Sequence, residues 1–181
     1  DGVTLDDPAV ALPANSYVTF TNGTTFNTAL TLNSSAILYW HQTGTLAGKT
    51  LNFANANARI ALDGTNASLT LTGATASGTL NIYADTSAGT FLSTAGAFTH
   101  TSNNTGQMFA RTFNNSGTIA NTSASGSLFL GSTTSGYATA NTGTITVNGG
   151  SGARIYLDGA FNNTGGALNA TAGILEFRGA N

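Results

Sequence analysis

Apart from tyrosine, the side chains that could do acid–base or charge chemistry in these 181 residues are seven carboxylates, four arginines, Lys49, His41 and His100; there is no cysteine. A sugar-cleaving centre needs two carboxylates, or an Arg/Lys–Asp cluster, converging on one face. The candidates for such a cluster are Arg59, Asp63, Arg154, Asp158, Glu176 and Arg178. Asp6-Asp7 is the only adjacent acidic pair, and a solvated terminal turn explains it more simply than a cation site does. His41 and His100 do not stand at metal-ligand spacing. Gly149-Gly150-Ser151-Gly152 is not followed by the Asp of a glycine-rich calcium repeat. His100, between two threonines, has no partner in sequence and is expected to face solvent. The inventory points to no catalytic residue, no metal and no cofactor, and the chain reads as a non-enzyme.

Tyr39, Trp40 and His41 form the densest aromatic cluster. Aromatic rings cover the apolar faces of pyranoses, so one reading is a ligand-stacking platform for sugars. The other is packing against the flank of the fold, with a polar tip satisfied at the edge.

The elements that must hold these residues are strands. Charged residues make up 7% of the chain, against about 25% in ordinary soluble domains. Thr, Ser, Asn and Gly take their place. Thr is stiff at χ1 and suits a pleated strand, while Gly and Asn tolerate the positive φ of tight corners. Helix-favouring Lys, Glu, Met and Gln are scarce, so almost no helix is expected. The apolar fraction of 40% falls in short regular clusters and the net charge is only −2, which together favour a folded chain over disorder.

Repeats run through the sequence. Ala58-Arg59-Ile60-Ala61-Leu62-Asp63-Gly64 returns as Ala153-Arg154-Ile155-Tyr156-Leu157-Asp158-Gly159. Phe113-Asn114-Asn115-Ser116-Gly117-Thr118-Ile119 is matched by Phe161-Asn162-Asn163-Thr164-Gly165, and its core recurs as Asn141-Thr142-Gly143-Thr144-Ile145. Each is followed by an apolar–x–apolar triplet: Leu128-Phe129-Leu130, Ile155-Tyr156-Leu157 and Leu175-Glu176-Phe177. Triplets about 20–27 residues apart fit coils of a solenoid with two or three short strands each. In the first half, Ile60/Leu62 align with Leu80/Ile82, and Leu30/Leu32, Leu51/Phe53 and Leu69/Leu71 form a second track. Residues 84–112 give no clear register, and Ala84 to Gly106 reads as a looser coil or loop.

Period-2 alternation turns Ile60 and Leu62 inward and Arg59, Ala61 and Asp63 outward. Aligning Ile155–Asp158 with Leu175–Arg178 sets Asp158 beside Arg178 on the next rung, an exposed structural ion pair that fixes register at about 0–1 kcal/mol.

The unit F-N-N-[ST]-G-[TG]-[IA] followed by G-x-L-x-L-x-G resembles the repeats of autotransporter passenger domains and filamentous-haemagglutinin-like exoproteins, closely over Phe113 to Gly179 and loosely over Thr28 to Ile82. That resemblance implies a right-handed parallel β-helix, all-β, of about seven to eight rungs, displayed extracellularly at a bacterial surface for adhesion or biofilm formation. The expected function is a structural or adhesive rod; the alternatives are a self-assembling filament subunit, joined by end-to-end stacking or strand donation, and a β-helical carbohydrate-active enzyme. One solenoid domain over 1–181 is expected, read as a fragment of a longer repetitive chain because it opens on Asp1 and closes directly after a strand-like run. Residues 1–16, with Pro8 and Pro13, could form an extended N-terminal arm available for donation. Expected partners are neighbouring repeats or copies, and cell-surface glycans or matrix. Five basic residues make no phosphate-binding patch, which argues against nucleic acid. No apolar run approaches the roughly 20 residues of a membrane-spanning helix, so no membrane insertion by this segment is expected.

Overall fold

The computed structural model describes residues 4–5, 7–84 and 89–179. Among them there is no helix, and every strand pairing is parallel. The strands stack in three columns to form a β-solenoid of about eight turns. At about 4.8 Å per rung, the first and last turns lie roughly 35 Å apart.

The third column is the simplest and forms the eight-stranded sheet. Its strands are Tyr17–Phe20, Ile37–Trp40, Arg59–Leu62, Asn81–Ala84, Thr105–Phe109, Ser127–Gly131, Arg154–Asp158 and Ile174–Arg178. Partners lie from about 20 residues apart (Tyr17 with Ile37) to about 27 (Leu128 with Ile155). Leu38, Ile60, Ile82, Met108, Leu130 and Leu157 stack inward as one ladder, each no more than 1% exposed. Burial of each such side chain contributes roughly 1.5–3 kcal/mol.

The first and second columns merge at two long strands. Ser68–Gly78 pairs through Ser68 to Thr72 with Thr43–Ala47 and through Thr75 to Gly78 with Thr50–Phe53. Phe91–His100 runs alongside it over both columns. The columns then separate into Thr112–Asn115, Ala138–Asn141 and Ala160–Asn162 on one side and Thr118–Asn121, Thr144–Asn148 and Ala167–Ala172 on the other.

The Asn-[ST]-Gly motif builds the corner between those two columns. Its Asn side chain turns into the wall and hydrogen-bonds along the axis. Thr94 Oγ1 donates to Asn115 Oδ1 (2.9 Å), Asn115 Nδ2 to Asn141 Oδ1 (2.6 Å) and Asn141 Nδ2 to Asn163 Oδ1 (2.6 Å). The same amides donate to Gly117, Gly143 and Gly166 carbonyls, so a buried polar corner is satisfied. Glycine is required beside it, since a Cβ on Gly143 would lie 2.0 Å from the Gly117 carbonyl oxygen.

Several expectations are corrected here. Ile60 pairs with Ile82 and not with Leu80, while Leu69 and Leu71 sit in the first column beside Gly44 and Leu46. Every turn carries three similar apolar–x–apolar segments, so a period alone does not say which column a triplet joins. Phe91–His100 is a regular strand within the stretch read as loose; residues 85–88 lie outside the described set. The described part of the expected arm over 1–16 is drawn into the first turn of its own chain, with Thr4-Leu5 against Thr25-Phe26 and Ala9–Leu12 against Ala29–Leu32. Asp6, half of the acidic pair, lies outside the described residues.

Candidate functional site

Apart from the half-exposed Phe91, the outward strand positions of the first and second columns carry small or polar neutral residues. One outward ladder of the second column reads Thr50, Thr75, Ala97, Thr118, Thr144 and Ala167. The third column differs because the middle residues of its triplets are large. Its outward positions carry Tyr17, Tyr39, Arg59, Tyr83, Phe109, Phe129, Arg154, Tyr156, Glu176 and Arg178. His41, Asp63, Arg111 and Tyr137 border the same face. All five tyrosines and all four arginines of the chain therefore gather on one side of the rod.

The rings contact one another along the axis. Tyr83 stacks on Phe109 (5.2 Å between centroids) and Phe129 on Tyr156 (4.6 Å), while Tyr137 meets Phe109 edge-on (5.9 Å). Such pairs contribute about 0.5–1.5 kcal/mol beyond area burial. Ala61, expected outward, does point that way but is fully buried, because it lies in register between Tyr39 and Tyr83.

Charges on this face are largely paired. Arg178 grips Asp158 with two bonds, Nε to Oδ1 at 2.7 Å and Nη2 to Oδ2 at 2.6 Å. This pair is less exposed than the alternation rule implied: the Asp158 side chain is 6% accessible, beneath an arginine that also lies 4.4 Å from the Tyr156 ring centre. The hydrogen bond to Asp158 raises the Arg178 pKa above its ordinary value. Arg154 approaches Glu176 at 3.8 Å, and His41 Nε2 lies 3.2 Å from Asp63 Oδ2. Arg111 donates to the Ser135 carbonyl and lies 4.6 Å from the Tyr137 ring centre. Asp63, Asp158 and Glu176 each face a basic partner, an arrangement that holds charge still more than it presents a free acid and base.

The proposed stacking trio is divided by the fold. Tyr39 is outward, edge-on to Tyr17 and to His41 at 6.1 Å in each case. Trp40 is inward and 1% exposed, its indole N–H donating to the Ser68 carbonyl at 2.9 Å, so it cannot receive a ligand. Alternation in Ile37–Trp40, which also buries Leu38, is the reason.

His100 is likewise corrected: it is fully buried. Its Nδ1 accepts from the Leu80 N–H (3.4 Å), which places the proton on Nε2, 3.0 Å from the Asn104 carbonyl. Desolvation lowers its pKa, opposed by the Asn104 and Ser102 backbone hydrogen bonds. Gly106 and Gly126 leave room for the ring; a Cβ on either would come within 2.9 Å of its nitrogens.

Sequence reasoning passed over Tyr83, Phe109, Arg111, Phe129 and Tyr137 as members of a face. The available signal was the middle residue of each third-column triplet, which is aromatic in Leu38-Tyr39-Trp40, Ile82-Tyr83-Ala84, Leu128-Phe129-Leu130 and Ile155-Tyr156-Leu157.

The fold and this face define a parallel β-solenoid with one aromatic, charged side. No family model, no curated protein and no solved structure matches the chain.

Proposed function

We propose that the chain is a non-enzymatic rod of a bacterial surface or secreted exoprotein, which works by presenting the outer face of its third column to glycans or matrix. The observation that carries this reading is the segregation of every tyrosine and arginine to one face of a solenoid whose other faces carry mostly Thr, Ser, Asn and Ala. A rigid rack of half-buried rings offers area for sugar stacking at little entropic cost. The charge-poor surface, the absence of cysteine and the resemblance of the repeats support an exported, extracellular setting. The test is retention of the protein on immobilised glycans, compared with a Tyr39→Ala/Tyr83→Ala/Tyr156→Ala variant of unchanged circular dichroism. Loss of retention in the variant supports the reading; equal retention overturns it.

A second reading, end-to-end assembly, is favoured by one observation. The last described turn presents Phe177 (62% exposed) and Ile174 (38%), with Leu168 and Leu175 only partly buried behind them. A further rung from another copy would cover this surface. Concentration-dependent sedimentation that Phe177→Ser abolishes supports it; a monomer at all concentrations excludes it.

A further inference from the structure

We infer that a cleft on this face, centred on Arg59, is a subsite for the carboxylate of an acidic sugar; this rests on the glycan-contacting reading of the face and names its ligand class. The cleft measures about 210 Å³ and is lined by Ala56, Asn57, Arg59, Asn81, Tyr83, Thr105 and Gln107. It is smaller than the roughly 300–1,000 Å³ of drug-sized pockets, and suits a single ring.

Three observations converge on it. First, Arg59 is the arginine whose side chain has no ion pair or hydrogen bond among the described residues, while Arg111, Arg154 and Arg178 each have a protein acceptor for theirs. Its Nε is enclosed by the protein and has no partner, so a ligand meets this guanidinium through its Nη groups. Second, none of the lining residues is acidic, so nothing within the cleft neutralises the guanidinium. Third, the floor is preorganised. Asn81 is 5% exposed, and its Nδ2 donates to the Ala56 and Ala58 carbonyls at 2.6 and 3.2 Å. Its Oδ1 accepts from the Gln107 N–H at 3.1 Å. Asn81 is thus spent on shape and leaves the recognition to Arg59.

A guanidinium can hold a carboxylate in two parallel hydrogen bonds through its two Nη groups, as Arg178 holds Asp158 on this same face through Nε and Nη2. Tyr83, stacked on Phe109, supplies an aromatic wall for the apolar side of a sugar ring. Asn57, Thr105 and Gln107 also line the cleft and bring polar groups that ring hydroxyls can bond. Positive charge, a flat ring and hydroxyl-matching groups in a ring-sized cleft together select a uronic-acid-type residue within a longer glycan.

The experiment is calorimetric titration of the full chain with a glucuronate-containing hyaluronan tetrasaccharide and with the same tetrasaccharide after carboxyl reduction. The acidic sugar should bind at least tenfold more tightly, as expected for a charged hydrogen bond in a shielded site. Arg59→Gln should bring it down to the level of the reduced sugar, whereas Lys49→Gln, which removes the same charge from another face, should leave the preference intact. Equal binding of the two sugars, or a preference that survives Arg59→Gln, overturns the subsite. Tetraglutamate binding as tightly as the acidic sugar overturns the assignment to saccharide. If both sugars bind equally and the tyrosine triple variant weakens both, the face stands and the cleft falls; if neither binds the native protein, both readings fall.

Discussion

Replacing Asn141 by Ala tests the internal ladder at its most connected point. Asn141 is fully buried. Its amide accepts from Asn115 at 2.6 Å and donates to Asn163 at 2.6 Å and to the Gly143 carbonyl at 3.2 Å. The substitution removes both inter-rung bonds and strands Asn163 Oδ1 without its donor, while Asn115 Nδ2 retains Gly117. Two net hydrogen bonds at about 1 kcal/mol each, with a smaller cost for the partly exposed Asn163 Oδ1 that loses its donor, put the loss at about 2–3 kcal/mol. With a urea m-value of about 2–3 kcal/mol/M, the midpoint should fall by roughly 1 M. Asn163→Ala, at the partly exposed end of the ladder, loses one inter-rung bond and should cost about 1 kcal/mol. Urea unfolding followed by circular dichroism measures both. Equal losses for the two variants, or a loss below about 1 kcal/mol for Asn141→Ala, would refute the ladder as a stabilising network.

Gly143→Ala should destabilise by about 3 kcal/mol or more, because its Cβ meets the Gly117 carbonyl at 2.0 Å; Gly165→Ala has nothing within 4 Å but a φ of +84° and should cost about 1–2 kcal/mol. Thermal melts of the pair check this order. Arg178→Ala leaves the shielded Asp158 carboxylate unpaired and should cost about 2–3 kcal/mol, between exposed and buried ion pairs, and Asp158→Asn in that background should recover part of it. Chemical denaturation of the single and double variants decides. His100 titrates near its ordinary value of about 6.5 when unfolded and lower when folded, so its contribution is complete above about pH 6.5 and declines as pH falls towards the folded value. His100→Asn, which places there the residue found beside it at Asn121, should flatten that decline in urea midpoints measured from pH 7.5 to 5; an unchanged slope contradicts it.

The later turns were legible in sequence because their triplets end in Gly and repeat in order. Phe129 beside Tyr156 and Tyr156 beside Glu176 follow from aligning the repeats. The long spacing from Ile119 to Ile145 left that register open in sequence; the strands pair Ile119 with Ile145, and Ile145 in turn with Leu168. Asp158 beside Arg178 followed from the same alignment; its shielding did not, since that depends on a guanidinium folded over rings two turns wide. The earlier turns were harder because Ser68–Gly78 and Phe91–His100 each cross two columns without the Asn-[ST]-Gly corner that marks later turns. His100 looked exposed because a polar residue between threonines carries no sign of facing inward; its register beside Gly78 and Asn121 puts it in the wall. Trp40 was visible to the alternation rule once its strand bounds were known. The aromatic face was hidden for a different reason: its members are dispersed from Tyr17 to Arg178, and only the stacking of eight turns brings them together.

Amide chemical-shift mapping during titration with a bound glycan tests the central claim most directly, because it reports which face is touched. Shifts concentrated on the third-column strands around Tyr39, Tyr83, Phe109, Phe129 and Tyr156 are expected, with the outward Thr and Ala ladder of the second column silent. Shifts centred on that Thr and Ala ladder, or none on the third column, would contradict it.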